Sequence, residues 1–383
     1  MERILTTHVG ALQRPPEAEA ALLGEADDGQ LRAAVAEVVR RQTELGIDIV
    51  DDGEFGKSIW QWYVTERLDG IEREDHPRPP IRGRDQDSFA DFYAYAQQTP
   101  DVLFHGSDRA FWASIATRPV CVGPVRYKPG PVERDIANLK AALGGLEVVD
   151  VFMPAVAPAS AEVDMGNEHY ATQDELLWAL ADALREEYRA IVDAGFQLQV
   201  DDAWIPALWN QDPSLDLETY KRYCRSRIEA LNHALTGLPE DRIRYHLCWG
   251  SWHGPHVNDI PLAEIVDLML EVNAGIYSVE AANVRHEHEY HLWDDVKLPE
   301  GKKLAPGVVT HSTNLIEHPE LVAERIVRFA DRVGRENVIA STDCGMGSRI
   351  HPQLGWAKLE ALSAGARLAS SRLWQGVEAK GAS

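Results

Sequence analysis

The run DELLWALADALREEYRAIVDAGFQLQVDD, residues 174–202, decides how the rest of the chain is read. Up to Gly195 it places apolar residues at i, i+3, i+4 and i+7 and closes on glycine, which predicts an amphipathic helix with a glycine stop. From Phe196 it becomes a short β-rich run, FQLQVDD, ending in two adjacent acids, Asp201 and Asp202. The device recurs. DGQLRAAVAEVVRRQTELG (28–46) and HPELVAERIVRFADRVGRENV (318–338) have the same helical spacing, the second entered by His318-Pro319 and ended by Gly334. Strand candidates fall at 3–9, 47–52, 119–125, 148–156, 196–202, 243–249, 276–281, 304–311 and 337–343.

Strand–helix alternation over the whole length argues for a parallel sheet. About eight repeats fit a (β/α)8 barrel better than an open doubly wound sheet, and nine candidates leave one strand too many. No glycine-rich dinucleotide fingerprint and no phosphate loop is found. With 383 residues and 42.7 kDa, the chain reads as a single α/β barrel over 1–383. Residues 72–110, polar, proline-rich and set with aromatics, break the rhythm after the second strand. They read as an insertion, either a lid or a surface excursion.

Composition narrows the partners. Sixty-one acidic residues against 38 basic ones give a formal charge of −23, a surface that repels phosphate backbones and anionic lipid, so neither nucleic acid nor a membrane is expected. No apolar run approaches the ~18–20 residues that span a bilayer. MERILTTHVGALQRP lacks a signal peptide's apolar core, so a cytoplasmic enzyme is expected. Four scattered cysteines point to reduced thiols rather than a disulfide framework. A barrel of this size is compatible with a homo-oligomer.

Barrel active sites lie at the C-terminal ends of the strands. The polar residues there are His8, Asp51 to Glu54, Asp201 and Asp202, His246 and Cys248, Glu280, His311, Asp343 and Cys344. In IRYHLCW (243–249), His246 and Cys248 stand two apart and so share one face of a strand. With Glu280 and Cys344 they supply one imidazole, two thiolates and one carboxylate, a donor set suited to tetrahedral zinc. The plainer reading makes these residues hydrogen-bonded rim groups and the acids helix caps. Cys121 and Cys224 read as small buried hydrophobes. His286, His288 and His291 read as a solvated segment, and His253 and His256 as candidates to line the pocket.

At these residues the chain resembles the catalytic barrel of cobalamin-independent methionine synthase and the related epoxyalkane:coenzyme M transferases, closest to the single-barrel bacterial branch. The likeness runs from ILTTHVGALQRP to GARLAS, carried by YHLCWG, SVEAAN and STDCGMGSR. It implies a methionine synthase-like fold, related to uroporphyrinogen decarboxylase, and a zinc ion held by His246, Cys248, Glu280 and Cys344. It implies transfer of a methyl or alkyl group to a thiol bound as its zinc thiolate: homocysteine with a folate-type methyl donor, or alternatively coenzyme M with an epoxide. DDGE and LQVDD match segments that bind the homocysteine amino group, through Glu54 and Asp201, with Asp202 beside them. PGVVTH carries the matching proton-handling histidine, His311, with His8 as the second candidate. A sulfonate would need a cation, and Lys57, Arg285 and Arg349 are nearby in sequence; Arg349 joins the substrate-binding set. The chain departs from the family in lacking room for a second barrel, in reading STDCGMGSR for NPDCGLKTR and in reading VDDAW for IDEPA. A metal-free decarboxylase-like barrel lacks a use for four zinc-type residues. A non-catalytic binding barrel with structural zinc predicts a closed shell that thiols leave unchanged.

Overall fold

The computed structural model describes residues 2–75, 83–104 and 107–375. Among the described residues the strands are β1 (Leu5–Thr6), β2 (Ile49–Val50), β3 (Leu68–Asp75), β4 (Thr117–Tyr127), β5 (Asp150–Val156), β6 (Gly166–Asn167), β7 (Gln197–Asp202), β8 (Ile243–Leu247), β9 (Ile276–Val279), β10 (Lys303–Val309) and β11 (Ile339–Thr342). Eight of them form one sheet in the order β1-β11-β10-β9-β8-β7-β5-β2, paired in parallel throughout. Its two edges approach each other through Asp48, whose amide donates to Thr6 O (3.1 Å) while Thr6 N donates to its carboxylate (2.9 Å). The fold is a (β/α)8 barrel.

The surplus strand is the one at 119–125. It lies within β4, which pairs antiparallel with β3 and briefly parallel with β6 in a separate three-stranded sheet. Strands of a closed parallel barrel are covered on both faces, and β7 is buried along its whole length. β4 is buried only at Val120, Cys121 and their neighbour Pro119, and Val122 is exposed. The pairing slips at Gly70 (φ +81°), where an added Cβ would lie 2.5 Å from Pro124 O. The segment 72–110 belongs to the excursion between β2 and β5 that carries β3 and β4, two strands of this side sheet. Its residues 76–82 and 105–106 lie outside the described residues, and the rest includes the short helices Ala90–Gln98 and Arg109–Ser114.

The helices form for local reasons and stay for tertiary ones. Gln173–Asp193 begins at Thr172, whose hydroxyl accepts from Glu175 N (3.1 Å), and it buries Leu176, Leu180, Leu184, Tyr188 and Ile191 against the barrel's outer face. Each such aliphatic side chain contributes roughly 1.5–3 kcal/mol. Pro319–Val333 starts on proline and ends at Gly334, whose φ of +89° suits glycine. Inside the barrel the bottom layer is apolar: Ile49, Phe152, Ile276, Ala305 and Ile339. Above it the interior turns polar. Arg244, 1% exposed, stacks over Phe152 (4.0 Å) and donates to Thr7 Oγ1 and His8 O. The apolar plug closes one end, so only the C-terminal rim can hold a site.

Candidate functional site

Period-two alternation along β8 turns Arg244, His246 and Cys248 inward. Register sets His246 beside Asp201 of β7 and Ser278 of β9. Cys344 follows β11, and its sulfur lies 3.6 Å from that of Cys248. One donor atom each from His246, Cys248 and Cys344 lies within 4.8 Å of the others. His246 Nδ1 faces Ser278 Oγ at 3.2 Å, while Nε2 is buried with no hydrogen-bond partner among the described residues. A histidine whose Nδ1 proton is committed to a hydroxyl presents its other nitrogen as a lone pair, as metal-binding histidines do. Glu280 Oε1 is 3.5 Å from the Cys248 sulfur. Two sulfurs and an aimed imidazole fit a zinc ion by donor chemistry; the Glu280 carboxylate adjoins Cys248 but is not one of the mutually close trio.

The electrostatics fit a cation as well. Sharing a proton between the two thiols, together with the His246 contact, holds Cys344 well below the usual thiol range and pushes Cys248 up. Burial pushes Glu280 up to about 8. These groups are crowded in a dry place that disfavours their ionised forms, and a divalent cation would favour those forms again.

The trio opens on a cleft also lined by Glu54, Lys57, Asp201, Arg14 and Arg349. Glu54 has φ +59°, a strained conformation outside glycine, which aims its carboxylate at Gly10. Burial pushes Glu54 up to about 8 and Asp201 to about 6; Lys57 opposes both. Arg349 donates to Ser251 Oγ (2.8 Å) and Ser348 O (2.8 Å) and makes no salt bridge among the described residues. The cleft widens into a vestibule lined by Trp60, Trp62, Phe104, Trp204 and Trp252.

The remaining sequence candidates are sorted by their partners. Asp202 stands at the cleft wall, but its oxygens take the hydroxyls of Ser160 (2.9 Å) and Tyr245 (3.1 Å), so it anchors the strand end instead of facing a substrate. His8 does not line the cleft: Nδ1 accepts from Gly10 N and Nε2 meets Gln42 (2.8 Å), so both nitrogens are engaged in holding the turn. His311 does not line the cleft or the vestibule either; it is buried, with Nδ1 unpartnered among the described residues, and burial lowers it to about 4. Arg285 turns to the carbonyls of His256 and Val257, away from the cleft. Cys121 and Cys224 are buried in the hydrophobic core. His286 corrects the expectation of a solvated segment: it is 4% exposed, whereas His288 and His291 are exposed. Of the WHGPH segment it is Trp252 that reaches the vestibule, while His256 pairs with Asp259 (2.9 Å).

Sequence reasoning passed over Ser278, Asn283, Arg14 and the role of Asp343. Asp343 Oδ1 accepts from Ala281 N (2.7 Å) and Ala282 N (2.8 Å) and so fixes the turn after Glu280. Ser278 was within reach: it lies two before Glu280 on the same inward face. Arg14 was not, since nothing local links it to the strand ends.

The family model described as "Cobalamin-independent synthase, Catalytic domain" matches residues 166–365. The methionine synthase of Thermococcus kodakarensis is 23% identical over 329 residues, 85% of this chain and 80% of that protein. The 2-hydroxypropyl-CoM lyase of Xanthobacter autotrophicus is 23% identical over 387 residues, 94% and 89%. Among solved structures, a B12-independent methionine synthase from Shewanella sp. W3-18-1 superposes with a TM-score of 0.73 at 23% identity, over 97% of this chain and 99% of that one, a likeness of fold.

Proposed function

The chain belongs to the cobalamin-independent synthase, catalytic domain, family, and from that premise we propose that it transfers a methyl or alkyl group to a substrate thiol at a zinc centre held by His246, Cys248 and Cys344, with Glu280 as fourth donor. One observation carries this reading: the buried, unpartnered Nε2 of His246 converges with two cysteine sulfurs at the base of a cleft. A zinc ion bound there supplies deprotonation of the incoming thiol, which as thiolate is the nucleophile.

The chain's residues do the rest. Glu54 and Asp201 line the same cleft as His246 and Cys344 and suit an ammonium, which favours homocysteine or another amino thiol as acceptor. Lys57, whose ammonium donates to Pro154 O, works against the rise of both carboxyls and so favours their ionised forms. The aromatic vestibule leads to the same centre and suits the donor molecule, brought into line with the thiolate by its walls. The donor's leaving atom needs a proton, and we assign that transfer to His311. It is neutral in the free protein, so it must gain its proton as negative charge gathers at the centre; the charge on Cys344 already works in that direction.

A second reading, an epoxide opened by coenzyme M, is favoured by one feature: the Arg349 guanidinium at the junction of cleft and vestibule, which pairs with no carboxylate among the described residues and suits a sulfonate. The test is zinc content of the wild type and of Cys344→Ser, with X-ray absorption before and after homocysteine and then coenzyme M. One zinc per chain, lost in the variant, and a new sulfur neighbour with one of the thiols is expected, and the thiol that adds it is the acceptor. Absence of zinc in the wild type refutes the reading. A four-donor shell unchanged by either thiol makes the zinc structural.

A further inference from the structure

Beside the metal ligands lies a buried polar cluster that no step above uses. Both oxygens of Glu280 are engaged: Oε1 accepts from Trp249 N (3.1 Å) and Oε2 from Asn283 Nδ2 (2.7 Å). Asn283 is itself held, its Oδ1 accepting from the amides of Arg285 (3.0 Å) and His286 (3.1 Å). Trp249 is fixed by its indole, which donates to Ile260 O (2.8 Å) and lies over the His286 ring with centroids 4.3 Å apart. His286 faces a carboxylate at each nitrogen, Glu289 at Nδ1 (2.8 Å) and Asp259 at Nε2 (3.2 Å). Those acids are anchored in turn: Leu262 N donates to Glu289 (2.6 Å), and His256 Nδ1 meets Asp259 (2.9 Å).

Resting on the zinc reading above, we propose that Asn283 and His286 are positioning residues for Glu280. Asn283 holds the carboxylate directly. His286, clamped between Asp259 and Glu289, seats Trp249 so that its amide meets the other oxygen. Two facts separate this from ordinary core packing. The network terminates on both oxygens of one carboxylate at the rim of the cysteine pair, and its only aromatic member over His286 is the residue that follows Cys248. A ring between two carboxylates is an imidazolium; burial works against the charge, but the two acids raise His286 to about 10. A cation under an indole face is favourable. Apolar packing would not require a buried charge here.

The test uses zinc affinity by chelator competition and the absorption spectrum of the Co(II)-substituted protein, on wild type, Asn283→Ala, His286→Gln and Glu280→Gln, and on the double variant Glu280→Gln/Asn283→Ala. Partners of metal ligands are typically worth 10–100-fold in metal affinity. A loss in that range is expected for Asn283→Ala and His286→Gln, with a shifted Co(II) spectrum. In the Glu280→Gln background, Asn283→Ala is expected to cost almost nothing further, because the two act through one carboxylate. Wild-type affinity in Asn283→Ala to within about threefold, or an undiminished loss in the Glu280→Gln background, overturns the proposal. If His286→Gln does not fold, the Asn283 cycle decides alone. Failure of the wild type to bind zinc is a different result: it removes the reading on which the inference rests.

Discussion

Replacing Glu54 by glutamine in the metal-free protein should change how stability depends on pH. Burial holds the Glu54 carboxyl protonated up to about 8, against 4.5 for the free side chain. Between those values the folded protein keeps a proton that the unfolded chain has lost, so stability falls as pH rises through the window and levels off above it. The window is 8 − 4.5 = 3.5 units wide, and at 1.36 kcal/mol per unit it is worth about 5 kcal/mol at most. The variant has no proton to keep. The difference in unfolding free energy between Glu54→Gln and wild type should therefore grow in the variant's favour from pH 4.5 to pH 8 and then stay constant. Urea unfolding at half-unit steps from pH 5 to 9, with chelator present, measures it. A constant offset from glutamine's own hydrogen bonds does not matter, since only the slope is read. A difference that is flat to within about 0.5 kcal/mol, the ordinary size of a surface substitution, refutes the claim that a buried, proton-holding carboxyl stands at this wall. The same proton should govern substrate capture: affinity for an amine-bearing thiol rises toward pH 8 in the wild type, and that rise is absent in the variant.

Ser278→Ala frees the His246 ring and should weaken zinc about tenfold in a chelator competition while leaving the thermal midpoint nearly unchanged; equal affinity would remove Ser278 from the site. His311→Asn should lower turnover by 10²–10⁴-fold with zinc content intact, as expected for a lost proton carrier, and a loss under tenfold would return His311 to a packing role. Gly10→Ala places a Cβ 2.5 Å from Glu54 Oε1 and 2.7 Å from Pro154 Cγ on a backbone with φ of +116°, so both the melting temperature and the acceptor KM should suffer; an unperturbed KM would mean that Glu54 does not face the substrate.

Much of this protein was legible without coordinates because the deciding patterns are local. Helical spacing closed by glycine, followed at once by a β run, is a property of thirty consecutive residues, and strand–helix alternation repeated about eight times admits few folds. The inward convergence of His246 and Cys248 follows from the two-residue period of a strand. The sequence placed Asp201 and Asp202 together; both line the cleft, but the hydroxyls of Ser160 and Tyr245 engage Asp202, while register sets Asp201 beside His246. What remained depended on pairings between distant segments. Strand 119–125 has a normal β composition, and only its antiparallel partner at 68–75 takes it out of the barrel. His8 ends a strand as a catalytic residue would, yet Gly10 and Gln42 engage both its nitrogens. His286 sits in a polar run that reads as solvated, and it is buried because Asp259, Glu289 and Trp249 close around it. Side-chain chemistry and period are carried by the chain itself. Which buried group meets which partner is set by contacts between residues tens or hundreds apart, and those exist only once the barrel has closed.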